Sequence, residues 1–186
     1  MRLKKVNAVL ALLSSFALVL HVSCMSFWMF TDYYNETLIA MVSIPFMVFT
    51  CAHAICGMCS VFLLSDGTRL DVYKRENRQT VIQRITAAVF FPMLIVHIKS
   101  MEILIGLSAK QAWGGFFLLL FIQIMFYAVV FDHIAVSFSK ALITLGILSG
   151  NDTRKKIDRI VIILCVVMFI SASFMITAGE IKMMFH

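Results

Sequence analysis

The sequence predicts an all-α fold, an integral membrane bundle of five transmembrane helices with a cytoplasmic N-terminus and an external C-terminus. Of the 186 residues, 61% are hydrophobic and only 14% are charged, whereas soluble domains carry about 25% charged residues. About 20 apolar helical residues span the hydrocarbon layer of a bilayer, which is about 30 Å thick, and the chain contains five such runs. Lysine and arginine lie mostly on one side of these runs. The chain, 1–186, is therefore expected to be a single membrane domain.

The five apolar runs cover approximately 6–30, 38–65, 80–107, 113–148 and 157–181. Each is expected to be helical, because a single segment in lipid can satisfy its own backbone hydrogen bonds only as a helix. The fourth run, of about 36 residues, is longer than one span requires. Its length predicts a helix that tilts or projects into the cytoplasm.

The basic residues predict the orientation, because cytoplasmic ends of membrane helices are enriched in Lys and Arg. Twelve of them lie at the N-terminus and around the second and fourth connections: Arg2, Lys4, Lys5, Arg69, Lys74, Arg75, Arg78, Arg84, Arg154, Lys155, Lys156 and Arg159. Only Lys99, Lys110 and Lys182 lie on the opposite side. The net charge of +6 is therefore interpreted as a topological signal, and no nucleic-acid partner is expected.

Four histidines lie inside four separate apolar runs: His21, His53, His97 and His133. An ionisable side chain inside a membrane is costly, which makes it a functional candidate. At about 1.5 Å of rise per residue, His21 and His97 lie roughly 12–15 Å below the outer helix ends, and His53 and His133 lie roughly 22–28 Å below them. A b-type haem held between helices takes an imidazole on each side of its iron. The two depth classes therefore predict two stacked haem b groups, with all four histidines as iron ligands.

Two other interpretations of these histidines are open. Each imidazole could instead hydrogen-bond a neighbouring helix, as single intramembrane histidines commonly do. A zinc or copper site would need ligands that converge at one depth, whereas the four histidines lie at two. We therefore favour haem.

Short segments around the histidines occur in a characteristic order. Leu3-Lys-Lys precedes His21, His53 begins His53-Ala-Ile-Cys-Gly57, Gln83-Arg-Ile-Thr-Ala87 precedes His97, and His133-Ile-Ala leads to Leu142-Ile-Thr-Leu-Gly146. In this order, over most of the chain, they resemble the five-helix, di-haem cytochrome b membrane anchor of succinate:quinone oxidoreductases and quinol:fumarate reductases. Asn7 stands where that family often has a histidine.

The resemblance implies a subunit that has no succinate or fumarate chemistry of its own. It would pass electrons between a quinone pool, expected to be menaquinone, and a flavoprotein and an iron–sulfur subunit on the cytoplasmic face of a bacterial-type inner membrane. His53 and His133 would bind the haem nearer the iron–sulfur subunit. His21 and His97 would bind the outer haem.

Basic residues near the inner histidines are candidates for binding the haem propionates, which are anionic. Lys140 lies seven residues after His133 on the same helical face, and Arg84 begins the third helix on that side. Arg84 could equally serve as a positive-inside anchor.

A quinone site needs a proton donor or acceptor, because quinone reduction takes up protons. Near the outer haem the candidates are Glu36, Lys99 and Glu102, and the resemblance favours Glu36. Two alternative functions remain open. The chain could be the cytochrome b anchor of another quinone-linked oxidoreductase, such as a hydrogenase or a formate dehydrogenase, or it could be a non-redox transporter or scaffold.

Overall fold

A computed structural model describes residues 2–31, 33, 35–64, 74–110 and 112–185 of the chain. Within these ranges the protein consists of five α-helices and contains no strand. They are α1 (Arg2–Thr31), α2 (Glu36–Leu64), α3 (Lys74–Ala109), α4 (Trp113–Leu145) and α5 (Asn151–Phe185).

Each helix contains a segment long and apolar enough to cross a membrane. These segments are Arg2–Thr31, Glu36–Ser60, Arg78–Ser100, Trp113–Leu145 and Asn151–Lys182, with mean hydropathies between 1.8 and 2.8. The prediction of an all-helical chain with five candidate spans is confirmed. Helices α3 and α5 begin about six residues before their apolar runs, because the polar residues at those positions continue the helical hydrogen bonding.

The end of α4 differs from the prediction, which extended this helix to residue 148. The helix ends at Leu145, because Gly146 adopts the left-handed conformation with φ 77° and its N–H bonds the carbonyl oxygens of Ile143 and Leu142. Glycine favours this terminating conformation since it has no Cβ to clash. Gly150, with φ 90°, directly precedes α5. The two glycines therefore make α4 shorter than predicted and begin the turn into α5.

Helix α4 lies at the centre of the bundle. It packs against α1, α3 and α5, whereas α2 packs mainly against α1. Nine residues of α4 are buried, compared with three of α1. Its side chains Phe126, Val130 and Phe131 belong to the main core, which also contains Leu18, Phe46, Leu94 and Val161 from the other four helices.

The outward faces of the helices carry large exposed apolar side chains. Phe16 and Phe174 are 65% and 70% exposed, and Ile163 and Leu164 are both 56% exposed. Contiguous apolar surface of this kind is rare on soluble monomers. It is compatible with contact to lipid along the candidate spans.

Contacts between helix ends distinguish the two ends of the bundle. Lys140 donates to Thr80 at 2.8 Å and Arg154 donates to Gln79 at 3.1 Å, which joins the start of α3 to α4 and α5. We call this the basic end, since it also carries the first residues of α1 and α5. At the opposite end, which we call the far end, Gly179 of α5 lies against Met29 of α1.

Candidate functional site

His53 of α2 and His133 of α4 lie side by side towards the basic end. Their ring centroids are 6.3 Å apart with an interplanar angle of 66°. A metal–imidazole bond is about 2 Å long and a ring nitrogen lies about 1.1 Å from the ring centre, so one iron between two imidazoles separates their centroids by about 6 Å. The 66° angle is compatible with this arrangement, since each ring can rotate about its bond to the metal. The spacing of the two rings therefore fits a shared iron atom.

His21 of α1 and His97 of α3 form a second pair nearer the far end. The two side chains lie close enough to interact electrostatically. His21 stacks on Phe46 at 5.5 Å, and His97 stacks on Phe126 at 4.9 Å. Because both phenylalanines are buried in the main core, the planes of these imidazoles are held by well-packed neighbours.

The Nδ1 atom of each histidine makes a hydrogen bond to an adjacent helix. The bonds join α1 to α2 and α3 to α4. The four contacts are His21 to Ser43 Oγ at 3.1 Å, His53 to the Asn7 carbonyl oxygen at 3.2 Å, His97 to Gln123 Oε1 at 2.8 Å, and His133 to Thr86 Oγ1 at 2.9 Å. Helices α1 and α2 therefore exchange these bonds, and α3 and α4 do the same. Each of the four helices supplies one imidazole and one partner for another.

These partners determine the tautomer of two rings. The Asn7 carbonyl and Gln123 Oε1 can only accept, so Nδ1 of His53 and of His97 carries the proton. For His133 the partner is the Thr86 hydroxyl, which can donate to the Ile82 carbonyl at 2.9 Å, to the Gln83 carbonyl at 3.1 Å or to the ring nitrogen itself at 2.9 Å, so it does not fix the tautomer. In His53 and His97 the lone pair therefore lies on Nε2, and a neutral imidazole binds a metal through the nitrogen that carries the lone pair. Histidines that ligate metals typically donate their other N–H in this way.

The number of side chains that meet in each pair limits which metal groups the site could hold. Among the residues that the structure describes, no three or more His, Cys, Asp or Glu side chains converge to hold a metal. Structural zinc takes four protein ligands and catalytic zinc takes three, whereas haem iron takes at most two from the protein. Two separate imidazole pairs are compatible with two haem irons, each of which takes at most two protein ligands.

The two pairs lie at different depths along the bundle. Gln123 is level with His97 and lies ten residues from His133 along α4. Thr86 is level with His133 and lies eleven residues from His97 along α3. At about 1.5 Å per residue these offsets correspond to roughly 15–17 Å. Both pairs therefore fit within one hydrocarbon layer of about 30 Å.

The predicted propionate partners lie near the basic end. Lys140 is half-buried and donates to Thr80, one turn before Arg84 on α3. Arg84 is also half-buried. Both cations therefore lie between His133 and the basic end, along the bundle. Their binding of a propionate remains a prediction.

The predicted quinone residues lie on the surface. Lys99 and Glu102 form an ion pair of 2.9 Å on α3, with side chains 63% and 75% exposed. Glu36 is exposed in the first turn of α2. Their role in quinone binding also remains a prediction.

Sequence reasoning assigned no role at this site to five polar residues that the structure connects with the imidazoles, either directly or through Tyr127. They are the four partners Asn7, Ser43, Thr86 and Gln123, together with Glu180. Glu180 is completely buried, and neither carboxylate oxygen has a hydrogen-bond partner in the described part of the chain. It interacts electrostatically with Tyr127, whose ring is 5.9 Å from that of His97. Gln123 and Glu180 could have been found as lone polar residues within apolar runs.

The fold and the site therefore define a class: a five-helix apolar bundle with two interhelical imidazole pairs at two depths. Comparison with protein-family models, with curated proteins and with solved structures finds no match for the chain.

Proposed function

We propose that this chain is a di-haem b cytochrome that anchors an oxidoreductase to the membrane and passes electrons to or from a quinone. The observation that carries the proposal is the pair His53 and His133, whose centroid separation of 6.3 Å matches two imidazoles on one iron. The second pair, His21 and His97, supports a second haem at another depth. Haem supplies one-electron redox chemistry when it is bound.

The chain's own residues would bind and orient the two groups. Each imidazole would offer Nε2 to iron, while its Nδ1 bond to the neighbouring helix holds the ring. Lys140, which bonds Thr80 at the basic end, and Arg84, one turn after Thr80 on α3, are the proposed partners of the inner propionates. The packed core around Phe46 and Phe126 would exclude water from the outer group.

The proposed complex is succinate dehydrogenase or fumarate reductase. A flavoprotein and an iron–sulfur subunit would dock on the basic end, which we assign to the cytoplasm of a bacterial-type inner membrane because the Lys and Arg residues concentrate there. The quinone, menaquinone by preference, would bind near the outer haem. The resemblance of the histidine segments to the family of di-haem anchors supports these assignments.

The test is the haem content and the visible spectrum of the full-length chain purified in mild detergent. We expect a b-type α band in the reduced-minus-oxidised spectrum and two haems per chain. His53→Ala and His133→Ala should each leave one haem, and His21→Ala and His97→Ala should each leave the other, because the loss of one of its two axial ligands weakens the binding of the haem that the pair would hold. Subunits that copurify would distinguish this complex from a hydrogenase or formate dehydrogenase.

The matched control is His186→Ala, which removes the fifth histidine, beyond the apolar runs. It should retain both haems. A wild-type chain without an α band would reject the proposal, as would unchanged haem content in all four intramembrane variants.

The competing function is a non-redox scaffold or transporter, in which the histidines only link helices. The four Nδ1 bonds between neighbouring helices are the observation that favours it. In that case the chain would bind no haem, and each His→Ala variant would lower its stability.

A further inference from the structure

Gln123 is one of the most deeply buried polar side chains among the described residues. It lies on α4 and is 1% exposed. Its Oε1 accepts from His97 Nδ1 at 2.8 Å. Its Nε2 has no hydrogen-bond partner within the described part of the chain.

Packing alone does not account for a glutamine at this position. A buried amide with one unpaired end is less favourable than an apolar side chain of similar size, such as leucine. The neighbouring buried positions on α4, including Leu119, Leu120 and Phe126, are all apolar. The feature that distinguishes Gln123 from them is its bond to the His97 imidazole.

We propose that Gln123 is a positioning residue that fixes the tautomer of His97 and lowers the reduction potential of the outer haem. This inference rests on the proposed function. The amide oxygen can only accept a hydrogen bond, so it keeps the proton on Nδ1 and the lone pair on Nε2. An acceptor at Nδ1–H also makes the imidazole a stronger electron donor, which stabilises ferric over ferrous iron.

The surroundings of His97 allow little alternative arrangement. Phe126 stacks on one face of the ring at 4.9 Å, and Tyr127 makes an edge contact at 5.9 Å. The partner of His21, Ser43, is a hydroxyl that can either donate or accept, and it does not select a tautomer by itself. Of the two imidazoles in the outer pair, His97 is therefore the one whose electronic state is set by its partner.

The test is a redox titration of the purified wild-type chain and of two variants, followed at the haem α band. Gln123→Leu removes the acceptor, and we expect it to raise the potential of the outer haem. The ratio of reduced to oxidised haem at fixed potential should increase about tenfold, which corresponds to about 59 mV for a one-electron couple. Gln123→Glu supplies a stronger acceptor of nearly the same shape and should shift the potential in the opposite direction. The inner haem serves as the internal reference and should not shift in either variant.

Leu119→Ala is the matched control, since Leu119 is buried on α4 one turn before Gln123 and packs beside Phe116. It should leave both potentials unchanged. If Gln123→Leu loses the outer haem, the near-isosteric Gln123→Glu decides alone. Two retained haems with no shift in Gln123→Glu, or shifts of the same sign in Gln123→Leu and Gln123→Glu, would overturn the inference while the proposed function stands. A wild-type chain without haem would overturn both.

Discussion

Ser14 and Thr50 join α1 to α2 by a hydrogen bond between their hydroxyl oxygens, which are 2.7 Å apart. Thr50 lies three residues before His53 on the same face of α2. Hydroxyl bonds between helices are a main source of attraction inside a membrane, where apolar contacts with lipid and with protein are of similar strength. This bond therefore helps hold the two helices at the level of the inner imidazole pair.

Replacing Thr50 by valine removes the hydroxyl and keeps the side-chain shape. We expect the free energy of unfolding to fall by about 0.6–1.7 kcal/mol, the range for hydrogen bonds between membrane helices. Unfolding by sodium dodecyl sulfate in mixed micelles would measure it. Ser14→Ala removes the same bond, so the double variant should lose less than the sum of the two single losses.

Thr177→Val is the control for this prediction, because the Thr177 hydroxyl bonds the Ser173 carbonyl of its own helix at 2.7 Å. It should have a smaller effect. Strictly additive losses in the Ser14 and Thr50 variants would contradict an interaction between them.

At the scale of elements, the Met29 side chain of α1 packs against Gly179 of α5 at the far end. A Cβ atom placed on Gly179 would lie 3.1 Å from Sδ and 3.2 Å from Cε of Met29. Small residues at contacts between helices allow helices to approach within a membrane bundle. Gly179 therefore leaves the space that the Met29 side chain occupies between the two helices.

Gly179→Ala should have a free energy of unfolding about 1 kcal/mol lower than that of Gly106→Ala, because its added methyl group overpacks the contact with Met29. Thermal unfolding in detergent would measure the change. The matched control is Gly106→Ala on α3, where an added Cβ meets nothing within 4 Å. That variant should be neutral or more stable by up to about 1 kcal/mol, because alanine favours helix over glycine. Combining Gly179→Ala with Met29→Ala should relieve the overpacking. If Gly179→Ala and Gly106→Ala change the stability equally, the contact between Gly179 and Met29 is not tight.

At the scale of the whole molecule, the asymmetry of basic residues predicts how the bundle lies in the membrane. Twelve Lys and Arg residues lie on one side and three on the other. A cytoplasmic basic end places Ser149 inside and Thr31 outside, and both residues are exposed in the structure.

Single cysteines at these two positions, in a chain whose five cysteines are replaced by alanine, would test this orientation with a membrane-impermeant maleimide. We expect Thr31→Cys to react in intact cells and Ser149→Cys to react only after permeabilisation. The cysteine-free chain is the control and should not react. The reverse pattern would place the basic end outside the cell.

Much of the helical architecture could be predicted from the sequence, since spans follow from runs of apolar residues and from the cost of unsatisfied backbone in lipid. Helix α4 ends three residues before the approximate predicted end, because Gly146 has a left-handed φ that an apolar run does not reveal. The sequence also identified the histidines as candidate site residues, because a polar side chain is easily recognised within an apolar run. Gln123 and Glu180 carried the same signal and were missed.

The sequence alone determined the number of candidate spans and the four histidines within them, because both depend on the composition of each segment. Only the tertiary structure decided that His53 meets His133, and that Asn7, Ser43, Thr86 and Gln123 bond the four imidazoles. Those contacts depend on how far each helix is rotated and shifted against its neighbour. Rotation and shift are set by side-chain packing around α4, which no single segment encodes.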